Sequence, residues 1–170
     1  NISVAAVNDA PVNTVPAAIT MNEDTTQAIT GLSVNDVDAG SSSITVTLQI
    51  TNGILNVSGG SAVIAGNGTN TVTLTGTQAE INSTLAATVN YVPTTNFNGT
   101  STLTITTNDN GNSGVGGALS DVDTVTITVN PVDDGSVANQ NVSTNEDVAL
   151  NGNLPTTDAD GAVTYAVLTN

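Results

Sequence analysis

The chain has 170 residues, of which 15 are Asp or Glu and none is Lys, Arg, His, Cys or Trp, so every formal charge is negative. Nothing in it can neutralise phosphates or dock on an anionic membrane, which excludes nucleic-acid binding, and no apolar run approaches the roughly 18 residues of a membrane span, so direct membrane insertion is not expected. Ser-His-Asp and Cys-His catalysis, disulfides and thiolate or imidazole metal sites are excluded too, leaving hard oxygen ligands that suit Ca²⁺ better than a transition metal.

Composition sets the class next. The apolar residues, 38% of the chain, are mainly Val, Ile, Leu and Ala set among many Thr and Asn, a mixture that favours strands over helices. In chain order, short strands are expected at 17–21 and 31–34. A long one follows through Ile44, Val46, Leu48 and Ile50, whose partners Thr45, Thr47 and Gln49 face solvent. Further strands are expected at 54–57, 62–65 and around Val72 and Leu74, punctuated by Asn52-Gly53, Gly59-Gly60 and Asn67-Gly68. The stretch 77–86 breaks the period of two: Ile81 and Leu85 stand four apart, after Thr77 with Glu80 three positions on, which predicts a short capped helix. Strands resume at 88–92, around Leu103 and Ile105, and through Val125, Ile127 and Val129, with a long Gly- and Asn-rich loop at 108–120 between the last two. The fold class expected is all-β, an antiparallel Greek-key β-sandwich carrying one short helix.

The two ends of the chain echo each other. Val4-Ala5-Ala6-Val7-Asn8-Asp9 is matched by Val129-Asn130-Pro131-Val132-Asp133-Asp134, Asn22-Glu23-Asp24 by Asn145-Glu146-Asp147, and Asp36-Val37-Asp38 by Asp158-Ala159-Asp160. Such repetition divides the chain into the last strand of a preceding unit with its linker (1–12), one complete unit (13–130), a linker (131–134) and the first strands of an incomplete following unit (135–170). The chain therefore reads as an excerpt of a longer tandem array.

The carboxylates recur with the repeat and fall at linkers and strand ends. Sandwich topology gathers the first linker, Asp36, Asp38 and Asp109 at one end, and carries Glu23 to the other, near Asp133 and Asp134. Two carboxylates 4 Å apart repel by about 1 kcal/mol in water and about 4 kcal/mol at an effective dielectric of 20. With no cationic side chain available, a bound cation is the remaining means of offsetting this, and Ca²⁺ accepts six to eight oxygens in flexible geometry. The EF-hand pattern is not the source of such a site, since Thr47 stands where that loop needs Glu.

Val7-Asn8-Asp9-Ala10-Pro11-Val12, Asn22-Glu23-Asp24, Asp36-Val37-Asp38, Tyr91-x-Pro93-x-x-Asn96-Phe97-Asn98-Gly99, Asp109-Asn110-Gly111-Asn112 and Ser120-Asp121-Val122-Asp123-Thr124 together resemble bacterial cadherin-like tandem repeats, immunoglobulin-like sandwiches in the stalks of large secreted RTX-type adhesins and surface filaments. The resemblance implies Ca²⁺ ligand roles for Asn8, Asp9, Asp36, Asp38 and Asp109 at one junction, and for Glu23, Asp133, Asp134, Asp158 and Asp160 at the next. It implies a non-enzymatic spacer at the bacterial cell surface, whose partners are neighbouring repeats of the same chain or filament and a cell-surface or matrix ligand. Two alternatives stand beside it. One is an adhesion module that binds a ligand through the 108–120 loop; the other is a filament subunit completed by strand donation in trans.

Overall fold

The computed structural model describes residues 2, 4–112 and 114–133. Asp134, Asp158, Asp160 and the first strands expected for a following unit at 135–170 lie outside the described residues. Among the described residues, eleven strands and one helix follow in order: β1 (Val12–Thr14), β2 (Ile19–Asn22), β3 (Gln27–Ala28), β4 (Ser33–Asn35), β5 (Ile44–Ile50), β6 (Ile54–Ser58), β7 (Val63–Ala65), β8 (Thr71–Gly76), α1 (Gln78–Ala87), β9 (Thr88–Val92), β10 (Gly99–Asn108) and β11 (Ser120–Asn130).

The larger sheet has the order β2-β11-β10-β5-β8-β7, and the second layer consists of β3-β9-β6 with the pair β1-β4. β3 and β4 are two halves of one strand, interrupted around Gly31, whose φ of 82° is a backbone state that favours glycine. Every ladder is antiparallel except one: β2 runs parallel to β11, with Ile19 opposite Ile127. The chain thus crosses from one layer to the other between β1 and β2, so its first strands border both sheets.

Alternation puts Val46 and Leu48 of β5, Leu103 and Ile105 of β10, and Ile127 of β11 inside, in one core with Leu55 and Val57 of β6 and Val89 and Tyr91 of β9. Burying each large aliphatic side chain contributes about 1.5–3 kcal/mol, and this core draws its buried residues from β2 through β11. The Thr residues of β11 face out, as the period of two requires.

The helix forms where the sequence predicts it. Thr77 caps it, its hydroxyl accepting from the Glu80 amide at 3.3 Å, while the Glu80 carboxylate accepts from the Thr77 amide at 2.8 Å. The carboxamide of Asn82 accepts from Val34 N and donates to Val34 O, both at 2.9 Å, so a side chain stands where β4 would otherwise pair with another strand. One turn earlier, Gln78 accepts from the Asp36 amide at 2.8 Å. Through these contacts the helix fixes the loop that carries Asp36 and Asp38.

Candidate metal centre

The end of the sandwich that receives the first linker is built from three segments: the linker itself, the loop after β4, and the late loop between β10 and β11. The linker lies alongside the late loop in a short parallel bridge, Val7 beside Val115, in which Val115 N donates to Ala6 O at 3.0 Å and Asn8 N to Val115 O at 3.2 Å. Gly114 makes this approach feasible, because a Cβ there would lie 2.4 Å from Asn8 N and 2.5 Å from the Val7 carbonyl carbon.

Asn8 is buried, 5% exposed, and its amide group donates to Asp109 Oδ2 at 2.5 Å and to Gly117 O at 2.8 Å. Asp109 has no exposed surface, and its Oδ1 accepts from the amides of Gly111 and Leu119, both at 2.8 Å. Burial alone pushes the Asp109 carboxyl upward, but the Gly111, Leu119 and Asn8 donors together hold it below the ordinary carboxylate value. Asp109 thereby organises the late loop and grips the linker.

In the loop after β4, Asp36 Oδ1 accepts from the amides of Asp38 and Ala39, both at 3.1 Å, an Asx turn on its own backbone. Asp38 Oδ2 accepts from the Asp9 amide at 2.9 Å, which joins this loop to the linker; Asp9 takes part through its main chain. Burial, reinforced by the close approach and charge of the Asp38 carboxylate, raises the Asp36 carboxyl above its ordinary value, and the amides of Asp38 and Ala39 offset only part of this. Asp109 and Asp36 are therefore perturbed in opposite directions. Burial pushes both upward and each accepts two backbone amides, but Asp109 has the Asn8 carboxamide as a further donor whereas Asp36 faces the Asp38 carboxylate.

Three oxygens of this run of contacts remain buried without a hydrogen-bond partner: Asn8 Oδ1, Asp36 Oδ2 and Asp38 Oδ1. All three are acceptors, and leaving such a group unsatisfied costs about 1–3 kcal/mol, more for a charged one. That donor set, carboxylate with carboxamide oxygen, has the chemistry of a Ca²⁺ site. Among the described residues no three carboxylates are gathered into a ready-made cluster. A cation here would rest on a mixed set, with an amide oxygen and main-chain or solvent oxygens beside Asp36 and Asp38.

The opposite end holds Glu23, 1% exposed, at the exit of β2. Its Oε1 accepts from Val132 N at 2.7 Å and its Oε2 from Asn98 Nδ2 at 3.4 Å, while its own amide donates to Asn130 O at 2.9 Å. Glu23 thus holds the main chain at Val132, one residue before Asp133. Of the residues expected at that junction, Glu23 and Asp133 are the described ones.

Sequence reasoning passed over several residues that shape the sites. Gln78 and Asn82 hold the Asp36 loop, and Gly114 admits the linker. Asp121 Oδ2 accepts from Asn13 N at 2.7 Å and pins β1 against β11. Asp121 is half-buried on the same parity of β11 as Val125, Ile127 and Val129, but its type does not name Asn13 as its partner; the run of glycines in the late loop is a further usable signal, since glycine marks close backbone approach.

No family model matches the chain. No curated protein matches it either. Among solved structures it is similar to the crystal structure of AggA, the major subunit of aggregative adherence fimbriae type I from Escherichia coli, with a TM-score of 0.44 and 13% sequence identity over 76% of this chain and 100% of that one. Among the described residues, no helix is long and apolar enough to cross a membrane.

Proposed function

We propose that this chain is a non-enzymatic structural unit of an extended bacterial surface adhesin or filament, in which tandem sandwiches are joined end to end and their junctions are stiffened by Ca²⁺. One observation carries the reading: three buried oxygen acceptors, Asn8 Oδ1, Asp36 Oδ2 and Asp38 Oδ1, have no protein partner in a chain without a single cationic side chain. Asn8, Asp9, Asp36, Asp38 and Asp109 would form or support the site at the first junction. Glu23 and Asp133, with Asp134, Asp158 and Asp160, would serve at the second. A cation bound there neutralises the carboxylates and ties the linker to the unit, and stabilises the fold by mass action. The partners are neighbouring units of the same chain or filament.

The test is thermal unfolding of the 170-residue chain in chelator and in saturating calcium, with Asp36→Asn as the control. The proposal expects a calcium-dependent rise in the midpoint of the wild type and its loss in the variant. An unchanged wild-type midpoint rejects it.

A second reading, a filament subunit that donates a strand in trans, has its own support. Ile2 and Val4 are 96% and 87% exposed, whereas their repeat counterparts Ile127 and Val129 in β11 are core residues. An alternating apolar segment of this kind suits a strand that completes another sandwich. Such a role belongs to the same class as the surface-fibre subunit that AggA is described as. Sedimentation of the chain at high concentration decides this reading, because a strictly monomeric boundary contradicts donation in trans.

A further inference from the structure

The two ends of this unit record two halves of one junction. At the leading end the late loop takes the Ala6 carbonyl through Val115 N, the Asn8 amide through Val115 O, and the Asn8 side chain through Asp109 and Gly117. At the trailing end Glu23 takes the amide of Val132. The internal repeat sets Ala6 against Pro131, Val7 against Val132 and Asn8 against Asp133.

Superposed in that register, the two sets of contacts use different atoms. The late loop's contacts among the described residues fall on positions 6 and 8, and the Glu23 contact falls on the amide of the position between them. The register also accounts for Pro131. Its counterpart Ala6 contributes its carbonyl to the late loop, and a carbonyl is the group that proline keeps.

From this we infer that successive units grip one three-residue stretch of linker from opposite sides. The preceding unit's Glu23 holds the middle amide, and the following unit's late loop holds the carbonyl before it and the residue after it. The partner of each end is a second sandwich of the same repeat. This rests on the tandem-unit reading above but not on its metal.

Three residues span at most about 10 Å, so two grips at this spacing leave no free length to act as a hinge. Gly114 adds to the constraint, since the linker passes so close to it that a Cβ would meet Asn8 N at 2.4 Å. The junction is consequently stiff before any cation arrives, and a cation adds to that stiffness. Register is the specificity element: a linker longer by one residue cannot satisfy both grips.

The test is a tandem chain in which residue 132 of one copy is followed directly by residue 8 of the next, each copy ending no earlier than its own β11. The absence of cysteine allows a Thr75→Cys substitution, on an exposed face of β8, to place one spin label in each unit. The distance distribution between labels is read in chelator and in calcium for four chains: the direct tandem, the tandem with one glycine inserted between residues 132 and 8, and tandems carrying Glu23→Ala or Glu23→Gln in the first copy.

The direct tandem is expected to give a narrow distribution in chelator. The glycine insertion and Glu23→Ala broaden it, while Glu23→Gln keeps it narrow because the amide carbonyl still accepts from the linker amide. The insertion lies outside both cores, so its effect does not depend on how Glu23→Ala folds. A direct tandem as broad in chelator as the inserted one overturns the double grip, even if calcium then narrows it. A narrow distribution that calcium leaves unchanged supports the double grip while counting against the cation proposal.

Discussion

Replacing Asp109 by Asn separates a grip on the linker from a simple excess of negative charge. The carboxylate has no exposed surface; two backbone amides meet its Oδ1 at 2.8 Å and the Asn8 amide meets its Oδ2 at 2.5 Å. In Asp109→Asn the carbonyl keeps the two backbone donors but loses the charge that strengthens them, a reduction of about 1 kcal/mol each. The new amino group then faces the amino group of Asn8, leaving one buried donor unpaired at about 1–3 kcal/mol. Relief of the buried charge offsets part of this, and a net loss of about 3 kcal/mol remains, a drop in melting temperature on the order of 10 °C.

Calorimetry in chelator at neutral pH reads that loss without any contribution from metal. The pH dependence fixes its origin. Donor hydrogen bonds hold the Asp109 carboxyl below its ordinary value of 3.8, so its contribution is present above that value and is lost as pH falls through the folded-state value. The gap between wild type and variant should therefore close in strong acid. A variant within 1 kcal/mol of wild type at neutral pH, or a gap that persists unchanged in acid, refutes the reasoning.

Other substitutions have distinct expectations. Asp36→Asn should act with the opposite sign in chelator: its carboxyl is raised, so its favourable contribution is present in acid and lost as pH rises through the raised value, and at neutral pH the variant should match or exceed the wild-type melting temperature. Gly114→Ala should displace the linker from the late loop, and is read as faster hydrogen exchange of the Asn8 amide with little change in the core amides. Thr77→Ala removes the helix cap and should cost about 1 kcal/mol in denaturant unfolding. It should also loosen the loop that Gln78 holds, so the calcium response should weaken in parallel.

The strands and the helix were legible in the sequence because their signals are local. The alternation from Ile44 to Ile50 needs only a period of two, and Thr77 with Glu80 is a cap readable over four residues. β1 and β3, of three and two residues, are too short for any period to register, and they exist because the edge of a neighbouring strand receives them. The parallel pairing of β2 with β11 is equally invisible, since nothing in either strand distinguishes a parallel neighbour from an antiparallel one.

The candidate site was legible as a list of acidic residues and less so as a mechanism. Repetition singled out Asn8, Asp36 and Glu23. The division of labour among them depends on which donors surround each oxygen, and those donors are backbone amides and the carboxamides of Asn8 and Asn98, whose types carry no such signal. Asp9 illustrates the limit, because its contact with the Asp38 loop is made by its amide, which any residue but proline would supply.

The central claim is that the partnerless oxygens at the leading linker receive a cation. Calcium titration of isotope-labelled chain, followed at the side-chain carboxyl carbons of Asp36 and Asp38 and the carboxamide carbon of Asn8, tests it most directly. The account predicts that these three signals move together and saturate at one calcium concentration, while the carboxyl of Asp123 on β11 stays in place. Signals at Asn8, Asp36 and Asp38 that remain still through millimolar calcium, or that drift no more than Asp123, would contradict it.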